Sequence, residues 1–217
     1  MGTRNLTMVI DRQGEMKVAQ YGRWDGYPEG QGATILEFAK DKEKMQKLKS
    51  VLNKIKFYNE CDDIKDFLTE YENRWNNKTQ TPKDEYFFNT FDTRSLGGKI
   101  LDSLINYNNE KLPKCFNGNI YLYNDIKFAQ DSLFCEWAYC INLQTNKLQC
   151  FNGFNYNKEL EYPLFKASEP QKSYDGSHTY YGIKLLKEYD IDKLPDEETF
   201  IEGLNGLISE DEQGETK

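Results

Sequence analysis

Alternating apolar and polar positions open the chain. Leu6, Met8 and Ile10 alternate with Asn5, Thr7 and Val9, and Asp11-Arg12-Gln13-Gly14 supplies a turn. Met16, Val18 and Gln20 then continue the alternation, so residues 5–22 predict a β-hairpin. Residues 22–32 hold four glycines and a proline and predict a loop. From about Gln31 to Phe57 the period changes. Met45, Leu48, Leu52 and Ile55 fall at helical spacing, with a break expected near Lys40-Asp41. Residues 62–75 carry the clearest helical stripe, on Ile64, Phe67, Leu68, Tyr71 and Trp75, followed by a polar loop over 76–83. Another helix is expected from Ser95, burying Ile100, Leu101, Leu104 and Ile105, and residues 106–119 read as loop.

The second half turns β-rich. Residues 120–123 predict a short strand, and Ser132–Leu143 and Lys147–Phe154 a long hairpin around Gln144-Thr145-Asn146. In that hairpin Cys135, Trp137, Tyr139, Ile141 and Leu143 are expected on one face. Residues 155–178 look irregular, 180–189 fit either strand or helix, and 197–208 predict an amphipathic helix on Phe200, Ile201, Leu204 and Ile208. Hairpins at both ends with helices between point to an α+β fold with a largely antiparallel sheet and a central helical segment. One domain is expected over residues 1–208, with an acidic disordered tail over 209–217.

Composition refines this picture. Aromatics make up 14% of the 217 residues, so large rings are expected to build the core. Mean hydropathy is low at −0.83 and no run of 18 apolar residues exists, so no membrane-spanning helix is expected. The start lacks a basic region followed by an apolar run and thus a secretory signal, and Leu6 stands where myristoylation wants Ser or Thr. Cytoplasmic residence follows as the expectation. The five cysteines (Cys61, Cys115, Cys135, Cys140 and Cys150) are irregularly spaced, which favours reduced thiols, and with one histidine, His178, they predict no zinc site and no cofactor. The net charge of −8 sits almost wholly in residues 196–217, which hold eight acids and one lysine. The near-neutral remainder argues against a nucleic-acid surface.

Four places carry candidate chemistry. Arg23, Trp24, Asp25 and Tyr27 fall between glycines; together they offer a planar cation, two ring faces and an acceptor for a ligand. Arg94, Gly97, Gly98 and Lys99 precede a helix and form a candidate anion site, although Thr93 and Ile100 exclude a P-loop. Asp175, Ser177 and His178 bring acid, hydroxyl and imidazole close in sequence, and Asp131 and Glu136 flank a hydrophobic strand.

The opening Met1-Gly-Thr-Arg-Asn-Leu-Thr, with Gln20-Tyr21-Gly22, Trp24-Asp25-Gly26-Tyr27-Pro28, Gly30-Gln31-Gly32 and Phe134-Cys135-Glu136-Trp137-Ala138-Tyr139, resembles a group of uncharacterised bacteriophage and bacterial proteins. That resemblance implies a small phage or prophage accessory protein with no established activity, and counter-defence is the expected class; with the aromatic loop as its grip, a non-enzymatic binding protein is the expected role. It would bind a small, nucleotide-like ligand or a host protein, with homo-oligomerisation a further option. The layout is also similar to N-terminal-nucleophile hydrolases of the choloylglycine-hydrolase type, which implies Thr3 as nucleophile with Arg23 and Asp25 lining the site. There the expected catalytic cysteine is replaced by Gly2, so Thr3 would serve only after removal of Met1 and Gly2. A virion or structural accessory role is the third expectation.

Overall fold

A computed structural model describes residues 2–57, 69, 73, 77, 96–106 and 119–214, the last six as backbone. Of the expected helix over 62–75 only Thr69 and Asn73 are described, both helical, and Cys61, Cys115 and Arg94 lie outside the described residues. The fold is α+β. Strand β1 (Asn5–Ile10) turns through Asp11, whose carboxylate accepts from the Gln13 and Glu15 N–H groups, into β2 (Met16–Gly22). After one wide helical turn, Pro28–Gly32, come α1 (Ala33–Lys40) and α2 (Lys42–Val51). Asp41 breaks them with extended backbone and caps α2 by accepting from the Glu43 and Lys44 N–H groups.

The helical spacing that includes Ile55 ends early. Leu52–Lys54 is a 3₁₀ turn and Ile55–Phe57 is strand β3, with Ile55 and Phe57 buried and Lys56 between them. It pairs in parallel with β4 (Ile120–Leu122). Between them lies the short helix α3 (Ile100–Ile105), entered through the 3₁₀ turn Gly97–Lys99, with Ile105 only half-buried.

The long hairpin is β5 (Trp137–Asn142) and β6 (Lys147–Asn152), so its first strand starts later than the expected Ser132. Cys135 precedes the strand and packs with the opposite face from Trp137, Tyr139 and Ile141. The ambiguous segment resolves as strand. A small ribbon of β7 (Gln171–Lys172) and β8 (Thr179–Tyr180) leads into β9 (Lys184–Asp190). Helix α4 (Glu197–Gly214) continues six residues past the expected end at 208, into the segment assigned to the tail.

The main sheet has the order β2-β1-β5-β6-β9. All of its pairings are antiparallel except β1 with β5, which runs parallel from Asn5–Trp137 to Ile10–Asn142. Every residue of β1 is buried, because the sheet is covered on both faces. Val9, Val18, Tyr139 and Leu148 face helices α1–α4, while Leu6, Met8, Cys140 and Phe151 face a layer of turns anchored by Phe165 and Ile183. No helix among the described residues is long and apolar enough to cross a membrane.

Candidate functional site

The loop that leaves β2 at Gly22 is tied down through its backbone. The Gly26 N–H donates to the Thr3 carbonyl at 3.0 Å, and the Gln31 N–H donates to the Asp25 carbonyl at 2.8 Å. The Gly30 and Gly32 N–H groups both donate to the Tyr27 carbonyl. Side chains from beneath complete the footing. Asn5 Nδ2 donates to the Trp24 carbonyl at 3.0 Å, and the buried Tyr139 hydroxyl donates to the Gly26 carbonyl at 2.9 Å. Gln31 Oε1 accepts from the Gly98 N–H at 2.6 Å, joining the loop to the turn before α3.

Two glycines are required by close approach. A Cβ on Gly30 would lie 2.2 Å from the Asp25 carbonyl oxygen, and one on Gly26 2.9 Å from the Arg4 carbonyl oxygen. Asp25 sits at φ 57°, in the left-handed region that an aspartate tolerates better than most side chains.

The backbone is fixed while the side chains point outward. Trp24 is 56% exposed and Tyr27 53%, and Arg23 and Asp25 are exposed as well. Trp24 rests its ring edge on Gly2, where a Cβ would fall 2.0 Å from Trp24 Cε3. Arg23 has no ion pair among the described residues. The four side chains singled out in the sequence therefore do share one surface loop.

Further exposed rings lie around Arg4, whose carbonyl backs onto Gly26 of the loop. Arg4, one residue before β1, lays its guanidinium 4.4 Å from the centre of the Phe134 ring, and its backbone N–H donates to Glu136 Oε1 at 3.2 Å. Phe134 is 42% exposed, and Phe154, at φ 47°, is 43% exposed. The Phe154 N–H donates to the Ser132 carbonyl and the Gly153 N–H to that of Glu136, so both phenylalanines belong to the loops at the end of the sheet where β1 and β5 begin. Phe134 falls in the stretch 134–139 that carries the bacteriophage resemblance, while hydrophobicity alone marks Phe154. Asp131 is half-buried here; burial raises its carboxyl pKa above the ordinary value, against hydrogen bonds from the Phe134 and Leu133 backbone and the charge of Arg4.

The remaining candidates are placed differently. Gly97 and Gly98 are buried, the Gly98 amide is occupied by Gln31, and the Ile100 N–H is satisfied by the Gly97 and Gly98 carbonyls. The Gly98 amide thus foots the loop, the Gly97 and Gly98 carbonyls serve the start of α3, and Lys99 is exposed. With Met1 and Gly2 in place Thr3 is 3% exposed and its carbonyl accepts from the Gly26 N–H, while Arg23 and Asp25 stand exposed on the loop.

Asp175, Ser177 and His178 do meet, in the exposed turn between β7 and β8. Ser177 Oγ donates to Asp175 Oδ1 at 2.7 Å and lies 2.7 Å from His178 Nδ1. Hydroxyls of Ser173 and Ser177 hold the Asp175 carboxyl below its ordinary pKa. In a serine triad the acid orients the imidazole; here the serine stands between them, and the three form a turn network. Burial pushes the thiols of Cys135, Cys140 and Cys150 upward, which suits core packing rather than nucleophilic attack. Among the described residues, no cluster of three histidine, cysteine or acidic side chains is arranged to hold a metal. Compared with family models, with curated proteins and with solved structures, the chain has no match.

Proposed function

We propose that this chain is a non-enzymatic binding protein of the phage accessory type, acting in counter-defence, whose loop Arg23–Tyr27 grips a host protein. One observation carries the reading: a backbone tied at Trp24, Asp25, Gly26 and Tyr27 holds Trp24 and Tyr27 more than half exposed. Trp, Tyr and Arg are the side chains that dominate protein–protein binding energy. Fixing their backbone beforehand reduces the entropy lost on association. Small-molecule sites bury most of their ligand in a concavity, whereas these rings stand outward, which favours a protein surface as the guest. The phage and counter-defence class rests on the sequence resemblance.

The test is affinity purification of the wild-type chain, Trp24→Ala and Arg23→Ala from bacterial cells, followed by native mass spectrometry. A host protein is expected in stoichiometric complex with the wild type. Its affinity should fall by about 2 kcal/mol or more in Trp24→Ala, with unchanged circular dichroism. Equal recovery by all three chains rejects the loop as the grip. A small molecule carried by the wild type and lost from the variants would replace the protein partner with a ligand. A mature chain beginning at Thr3 with amide-hydrolase activity would replace the whole reading.

A further inference from the structure

The helix-side face of the sheet changes character along its length. At Val9 and Val18, which are cross-strand partners, it is apolar. Two and four residues toward the loop the same face presents Thr7 and Asn5 on β1, and Gln20, the partner of Thr7, on β2. Asn5 and Thr7 are 0% exposed and Gln20 1%. Among the described residues, Asn5 Oδ1, Thr7 Oγ1 and Gln20 Oε1 have no hydrogen-bond partner.

Their donors are engaged in other directions. Asn5 Nδ2 serves the Trp24 and Gly22 carbonyls, and Gln20 Nε2 serves Asp125 Oδ2 at 3.4 Å. The Asn5 amide leans over Gly22, where a Cβ would lie 2.5 Å from Asn5 Oδ1. Gly22 is the next same-face position on β2 after Gln20 and the register partner of Asn5, so the three side chains are neighbours on one stretch of the hairpin.

Leaving three buried polar atoms unpaired forfeits their hydration with nothing in return, which a domain of marginal stability does not sustain. We propose that Asn5 Oδ1, Thr7 Oγ1 and Gln20 Oε1 form a buried site that holds an ordered internal water beneath the aromatic loop. The donor count fits water. It donates two hydrogen bonds, to the Asn5 and Gln20 amide oxygens, and accepts one from the Thr7 hydroxyl. About three bonds is the usual complement of a buried water. Asn5 links this site to the loop, since one amide group serves both the water and the Trp24 carbonyl. The site does not depend on what the loop binds.

Thr7→Val decides it by sign, because valine keeps the shape and removes only the hydroxyl. With the water in place, the variant strands a bound molecule on two partners, and the unfolding constant should rise about three- to tenfold in urea titrations. In a dry site it removes an unpaired hydroxyl, and a neutral or more stable variant overturns the proposal. Magnetisation transfer from long-lived water to the amides of Thr7 and Gln20 is expected in the wild type, weakened in Thr7→Val. Its absence overturns the proposal whatever the stability change. Wild-type stability that depends on potassium or sodium against choline at equal ionic strength, and loses that dependence in Thr7→Val, would assign the oxygens to a cation and overturn the water.

Discussion

Tyr139 is fully buried in the middle of the sheet, yet its hydroxyl reaches the carbonyl of Gly26 in the exposed loop. Removing that oxygen leaves a buried carbonyl unpaired and changes nothing on the surface. Tyr139→Phe is therefore expected to cost about 1–2 kcal/mol in a urea titration. It should also weaken partner binding severalfold, measured by calorimetry, because the loop loses a footing. Unaltered affinity in this variant would show that the loop stands without Tyr139. The same residue explains Gly32, where a Cβ would lie 2.9 Å from the Tyr139 hydroxyl. Single atoms on the sheet thus reach the loop through backbone carbonyls, a route hidden in a linear reading of Arg23–Tyr27.

Among the elements, local patterns were legible and distant ones were not. Both long hairpins follow from period-two alternation and turn chemistry, and Asp41 marks the helix break as expected. Asp41→Ala should lower stability by about 1 kcal/mol, since it strips the acceptor from two N–H groups at the start of α2; a melting temperature equal to the wild type would contradict that cap. Ile55 misleads because it lies one helical repeat from Leu52, while its true role comes from parallel pairing with Ile120. Cys135 misleads because the chain bends just before Trp137, moving the thiol to the other face. At the candidate site Trp24 and Tyr27 stood out through the glycines around them. Phe134 and Phe154 did not, because a phenylalanine near a strand looks the same whether it enters the core or leaves it.

For the molecule as a whole, burying two layers of acidic groups sets its response to alkali. Burial raises the Cys135, Cys140 and Cys150 thiols and the Tyr139 hydroxyl, and pushes Tyr189 up to about 12. These groups stay protonated in the fold while the unfolded chain ionises from the ordinary thiol and phenol values of 9.0 and 10.0. Each raised pKa thus contributes stability that is complete below pH 9 and is lost as pH climbs through the folded values. Urea titrations in reductant should show a constant midpoint from pH 7 to 8.5 and a steady fall above pH 9. A midpoint still constant at pH 10.5 would contradict that burial.

The parallel seam between β1 and β5 brings Arg4 to Glu136, 132 positions along the chain. During translation the first hairpin leaves the ribosome long before its neighbour exists. Its inner margin, a row of unmet amides and carbonyls, must wait while more than a hundred further residues are synthesised. Completion of the sheet is therefore a late event in the life of the nascent polypeptide, and the aromatic loop gains the support of Tyr139 only then.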